Sequence, residues 1–191
     1  MRKLVYYVGV SLDGYIAGPG GEYDFYPVDP EMGPSINAEY PEFVPTEFRP
    51  QLGMALDAPN KHFDTVIMGR GTYEPGLFAG FPSPYAHLRQ YVVSRTLGRI
   101  DEPAVELVDS DPIESVRRLK KEEGQDIWLC GGGNLAAQLL GEIDELIIKS
   151  YPVIAGGGIS VFAGEFRPTP FTPVRRQEFG NGAQVTWFTR A

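Results

Sequence analysis

Apolar positions along this chain come in short runs, each bounded by glycine, proline or charge. Five runs read as buried strands: Lys3–Leu12, Asp64–Gly69, Arg89–Thr96, Asp126–Gly133 and Asp144–Ile154. They are rich in Val, Ile, Leu and aromatic residues and too short for independent helices. Between the third and fourth runs the period changes to that of a helix. In DSDPIESVRRLKKEEG, Asp111 can cap, Pro112 suits the first helical position and Glu114 completes a capping-box pattern. Ile113, Val116 and Leu119 form its inner stripe, and Gly124 supplies the left-handed stop. A second helix is expected over LAAQLLG, capped by Asn134.

Two stretches break this rhythm. Residues 27–50 carry Pro27, Pro30, Pro34, Pro41, Pro45 and Pro50, a density that excludes long helices and strands. The expectation is an ordered irregular insertion or a mobile flap within one domain spanning residues 1–191. A short helix is expected in the EFRPQLGMALDA segment that overlaps its end. Near the C-terminus, two alternating runs flank Gly180-Asn181-Gly182, a strong hairpin pattern. Strands joined by helices imply a mostly parallel sheet with helices on both faces, here followed by an antiparallel hairpin: an α/β fold.

Composition narrows the possible partners. The 191 residues are 42% hydrophobic and carry a net charge of −8. An acidic field argues against nucleic acid and anionic membranes as partners, so any bound anion needs local donors. Cys130 is the single cysteine, which fits a reducing compartment. The apolar start of the chain is cut short by Asp13 and Gly14, as a first strand would be, and no run approaches the roughly 20 residues of a membrane span. A soluble, cytoplasmic protein is expected. His62 and His87 lack metal-ligand spacing, so no metal is expected.

The candidate chemistry lies where strands end. One run leads into Ser11-Leu12-Asp13-Gly14, another into Gly69-Arg70-Gly71-Thr72, a third into Ser94-Arg95-Thr96, a fourth into Gly131-Gly132-Gly133-Asn134. Open parallel sheets bind ligands at the carboxyl ends of their strands. Glycine lets backbone approach a pyrophosphate, and arginine offers a planar fork of donors. Together these ends suit a phosphate-rich ligand. GGGNLA matches a dinucleotide fingerprint by letter, but Lys149, Ser150 and Tyr151 stand where the acidic partner belongs, which rejects the Rossmann reading.

VIMGRGTYE, VVSRT and WLCGGGNLAAQLL, in that order, resemble the dihydrofolate reductase fold. SLDGYIAG and DELIIKSYPVIAGGGISVF narrow the resemblance to the C-terminal reductase domain of riboflavin biosynthesis proteins, the RibD C-terminal domain family. The matched blocks, residues 3–18, 64–75, 91–96 and 127–162, cover under half the chain. The resemblance implies an NADPH-dependent reductase, often a homodimer, acting on a small heterocyclic or sugar-imine substrate. A 5-amino-6-(5-phosphoribosylamino)uracil-like compound is the specific expectation; dihydrofolate reduction or a silent nucleotide-binding module are the alternatives. Carried over by position, Gly69, Arg70, Gly71 and Thr72 would meet the cofactor's phosphates, and Ser94 and Arg95 its adenosine ribose and 2′-phosphate. Gly131, Gly132, Gly133 and Asn134 would hold the pyrophosphate, with Leu135 close by. Ile16 and Ala17 would line the nicotinamide edge, and Gly9 would let backbone approach its amide.

Two departures stand out. Dihydrofolate reductases carry a carboxylate on the helix after the first loop, whereas here that region is the proline-rich stretch, with Asp24, Glu47 and Asp57 as the only candidates. A fused zinc deaminase domain would need several cysteines, which this chain lacks. Asp13 is the candidate catalytic residue: it either orders the loop over the nicotinamide, contacts substrate, or simply forms the turn before Gly14.

Overall fold

A computed structural model describes all of residues 1–191. The strands are β1 (Leu4–Val10), β2 (Tyr15–Ala17), β3 (Phe63–Gly69), β4 (Arg89–Val93), β5 (Val105–Val108), β6 (Asp126–Gly131), β7 (Glu145–Ser150), β8 (Ile159–Ser160), β9 (Phe171–Glu178) and β10 (Gln184–Arg190). The helices are α1 (Met32–Glu39), α2 (Arg70–Phe78), α3 (Pro112–Lys120) and α4 (Gly133–Gln138). Eight strands form one sheet in the order β5-β4-β3-β6-β1-β7-β10-β9, while β2 and β8 pair separately. The six strands from β5 to β7 run parallel; β10 is antiparallel to β7 and to β9. The expected α/β architecture, a mostly parallel sheet ending in an antiparallel hairpin, is the one observed.

Both faces are covered because the central strands are apolar on both sides. Along β1, Val5 joins one core cluster while Leu4, Tyr6 and Val8 join the other. The first cluster takes Met32 and Ile36 of α1 and Tyr73 of α2; the second takes Val116 and Leu119 of α3 and Leu135 and Ala136 of α4. In α3, Asp111 caps as expected, its Oδ1 accepting from the Ile113 N–H at 2.8 Å.

The proline-rich segment is ordered and contains an α-helix. In α1, Pro34 sits in the first turn, where no intrahelical N–H bond is lost. Met32, Ile36, Tyr40, Phe43 and Val44 from this segment are buried in or beside the sheet. Arg49, fully buried, donates to the carbonyls of Pro41, Leu56 and Ala58. Glu42 Oε1 accepts the N–H groups of Lys61, His62 and Phe63, tying the segment to the start of β3. The helix expected within residues 47–58 is not α-helical: single 3-10 turns occupy Thr46–Phe48 and Pro50–Leu52. Asn134 does not cap α4. Gly132 holds that position, and Asn134 accepts from Gln138 through Oδ1 at 2.6 Å.

Candidate active site

The parallel strands end on one edge, and along that edge runs a cavity of about 1340 Å³. Its floor begins at Arg95 and Ser110 beyond β4 and β5. It passes the Gly69-Arg70 end of β3 and the glycines at the end of β6, and finishes at Gly9 of β1, Lys149 of β7 and Tyr151 just beyond it. Every residue expected to hold a cofactor lines it: Gly9, Ile16, Ala17, Gly69, Arg70, Gly71, Thr72, Ser94, Arg95, Gly131, Gly132, Gly133, Asn134 and Leu135. Residues far apart in the chain share this edge because the parallel pairing puts the carboxyl ends of β1, β3, β4 and β6 side by side.

The two ends of the cavity differ in chemistry. At the β3–β4 end, Arg70 Nε donates to Glu74 at 2.7 Å and Nη1 to Thr96 Oγ1 at 2.9 Å, which fixes its fork across the gap between strands. Arg95 is exposed and its side chain makes no hydrogen bond or ion pair. Ser94 Oγ accepts the N–H groups of Thr96 and Leu97, holding the loop that presents Arg95; its own proton stays free to donate. Helix α2 starts at Gly69 with no side-chain cap, unlike α3. Its first N–H groups are therefore not taken up by a capping side chain of the protein.

The glycine run after β6 is forced by geometry. Gly131 has φ +134°, a conformation that disfavours side chains. Gly133 packs so closely on β8 that an added Cβ would overlap the Ser160 carbonyl oxygen. This contact seats α4 against the β2–β8 ribbon, whose Ile16 and Ile159 close that side of the cavity.

The β1–β7 end is aromatic. Tyr7, Phe43, Tyr85, Trp128, Tyr26 and Tyr151 line it, with Tyr7 stacked on Phe43 at 3.8 Å and Tyr26 on Tyr151 at 4.5 Å. Tyr7, Trp128, Cys130, Lys149 and Tyr151 come from the sheet; Tyr23, Asp24, Tyr26, Phe43, Glu47 and Phe48 come from the segment before β3. Burial pushes the Cys130 thiol up to about 12, so it stays protonated. Burial also raises Tyr26 to about 12 and Tyr85 well above its ordinary value. These hydroxyls are neutral hydrogen-bonding groups at ordinary pH.

Asp13 lies outside the cavity lining. Its Oδ1 accepts from Ser11 Oγ at 2.6 Å and from the Ala155 N–H at 3.0 Å, and Oδ2 accepts the Gly156 N–H at 2.7 Å. The Ser11 hydroxyl and these backbone N–H groups hold its carboxyl down to about 2. Of the three readings open for Asp13, the geometry supports fastening: it ties the loop after β1 to the turn after β7, close in the chain to Ile16 and Ala17 of β2. Of the candidate acids, Asp24 and Glu47 line the cavity and Asp57 does not. His87, expected on the surface, is half-buried. It hydrogen-bonds Thr46 Oγ1 and the Glu42 carbonyl, and burial lowers it to about 4.

Sequence reasoning misses the aromatic wall and the place of Lys149 and Tyr151 in it. In the sequence these two count only as the wrong residues for a Rossmann acid. The clue that could have found them is the alternation of β7, which puts Ile147, Lys149 and Tyr151 on one face.

Comparison with known proteins agrees with this geometry. Two Bacillus subtilis (strain 168) proteins of uncharacterised function are similar over nearly their whole length. YwjB is 32% identical over 186 residues, covering 96% of each chain. YyaP is 29% identical over 196 residues, covering 95% of this chain and 91% of its own. Among solved structures, a Shewanella sp. PV-4 protein assigned to riboflavin biosynthesis matches with a TM-score of 0.72 at 22% identity, covering 100% of this chain and 99% of its own. The Thermotoga maritima diaminohydroxyphosphoribosylaminopyrimidine deaminase/5-amino-6-(5-phosphoribosylamino)uracil reductase matches with a TM-score of 0.65 at 17% identity. This chain spans 57% of that protein. At such identities the two structures speak to the fold. The RibD C-terminal domain family model matches residues 2–185, and the chain belongs to that family.

Proposed function

We propose that the protein is an NADPH-dependent reductase that passes hydride to a small planar or imine-bearing acceptor. The observation that carries this reading is the single cavity joining two unlike ends. One end offers arginines and an uncapped helix start; the other is an apolar aromatic chamber. A dinucleotide is a long molecule with phosphates along it and a flat ring at one terminus, and it fits that polarity. Membership of the family, and the fold shared with an enzyme named for a reductase activity, support the same class of chemistry.

In this reading the free fork of Arg95, with the Ser94 hydroxyl, takes the 2′-phosphate. Arg70 and the first N–H groups of α2 face the remaining phosphates. The backbone of Gly131–Gly133 allows close approach of the pyrophosphate, and Ile16, Ala17 and Leu135 keep water from the nicotinamide. NADPH, when bound, supplies the hydride. The chain's own part is to hold donor and acceptor at reacting distance and to exclude solvent. The reading requires no metal.

Fluorescence of the reduced nicotinamide tests this without knowing the acceptor. Adding protein to NADPH should change its emission. The compound 2′,5′-ADP should displace it far better than 5′-ADP, which lacks the group Arg95 would take. No change at millimolar NADPH, or equal competition by the two nucleotides, would contradict the reading.

A further inference from the structure

The aromatic end of the cavity carries information about the acceptor, provided the reductase reading holds. The sheet supplies this end with one cation, Lys149, while two exposed carboxylates, Asp24 and Glu47, line the same cavity. Asp29 also lines it, but its oxygens are taken by the N–H groups of Glu31, Met32 and Asn181. Arg49 and His87 lie behind the wall: Arg49 is committed to three carbonyls and His87 is held neutral. The other two cations of the cavity, Arg70 and Arg95, sit on the far side of β6, and Arg70 is paired with Glu74. A doubly charged phosphate placed at the aromatic end would find a single cation to pair with.

Lys149 is placed as a single contact. It forms no ion pair, and its Nζ lies 4.5 Å from the centre of the Tyr7 ring. Gly9, opposite it in the β1–β7 register, leaves the room. A Cβ there would come 3.7 Å from Lys149 Cε and 3.1 Å from the Tyr151 ring. Beside these, the buried indole N–H of Trp128 has no hydrogen-bond partner. Flat walls, one ammonium and spare neutral donors suit a conjugated ring bearing carbonyl oxygens.

We infer that the acceptor is a planar, phosphate-free heterocycle whose carbonyl edge meets Lys149, which makes Lys149 the specificity-determining residue of this chain. Hydride added to a ring carbon conjugated with that carbonyl pushes an electron pair onto the oxygen, as NADPH is oxidised to NADP⁺. The ammonium pairs with the charge that develops, and a proton from water completes the reduction. This separates the chain from a phosphoribosyl-bearing pyrimidine as substrate.

The test is calorimetric binding in saturating NADP⁺, which fills the phosphate-binding end and donates no hydride. The probes are lumazine, riboflavin and FMN, the last two identical except for one phosphate. The expected result is that lumazine or riboflavin binds and FMN binds no more than threefold tighter than riboflavin. Lys149→Met should weaken the ring by at least fivefold, and Lys149→Arg should restore most of it, both with unchanged NADP⁺ affinity. FMN binding more than threefold tighter than riboflavin, no binding of any probe, or full binding by Lys149→Met would each overturn the inference. All three are read with NADP⁺ bound, so they leave the cofactor reading intact. Failure of NADP⁺ itself to bind would sink that reading instead.

Discussion

Gly133→Ala is the sharpest structural perturbation this fold offers. Gly133 opens α4, where alanine is intrinsically favoured by about 1 kcal/mol. Yet the added methyl would overlap the Ser160 carbonyl oxygen and sit 3.0 Å from its carbonyl carbon and 3.4 Å from that of Val161. Ordinary carbon–carbon contact is about 3.5–4.0 Å. The obstruction is backbone on both sides, so no side chain can swing away. Either α4 or the strand must move, which strains the Ala163 N–H to Gly133 carbonyl bond at 3.0 Å and the β2–β8 pairing. Overpacking costs about 1–3 kcal/mol and a weakened hydrogen bond about 1 more. Less the roughly 1 kcal/mol helix preference of alanine, the net expectation is a loss of about 2 kcal/mol, or about 4–8 °C in Tm for a domain of this size. Gly71→Ala is the control: it lies within α2 and an added Cβ meets nothing within 4 Å, so Tm should hold or rise slightly. Differential scanning calorimetry of both variants decides. A Gly133→Ala protein melting within 2 °C (about 0.5–1 kcal/mol) of the parent would refute the reasoning.

The titrating groups give two more expected outcomes. Asp13 is held at about 2 by Ser11 and two backbone N–H groups. Its depressed carboxyl therefore stabilises the fold above the ordinary carboxylate range and loses that effect as pH falls through about 2. Asp13→Asn should lower Tm at neutral pH, with the gap to the parent closing in strong acid; a pH-independent gap would argue for a packing effect instead. Cys130, half-buried in the cavity wall with its thiol held protonated, should react with iodoacetamide more slowly in the folded protein at pH 8 than after unfolding in urea, as read by mass spectrometry. Rapid labelling of the native protein would contradict its placement.

Strand position is legible where burial on both faces produces unbroken apolar runs, as in β1, β3, β6 and β7. It is not legible in β5, four residues long after Pro103, or in β2 and β8, which pair only with each other. Helix α1 hides among prolines because Pro34 falls where a helix tolerates it. The α4 cap falls on Gly132 rather than on Asn134, since the chain needs glycine where Gly133 meets Ser160 and the helix begins there. Most residues expected to meet a cofactor can be found because they lie at or just after the end of a parallel strand, a local pattern. The aromatic end of the cavity cannot, because Tyr7, Trp128 and Lys149 come together only through the strand order, and residues from 23–48 line it with them.

That Arg95 reads the 2′-phosphate of NADPH is tested most directly by thermal unfolding with NADPH and, separately, NADH. A ligand at a hundred times its Kd adds about 2.7 kcal/mol, roughly 5–10 °C here. The expected result is a larger rise with NADPH than with NADH, and equal small rises for the two in Arg95→Ala. No rise with either at millimolar concentration, or an NADPH preference that survives Arg95→Ala, would contradict it.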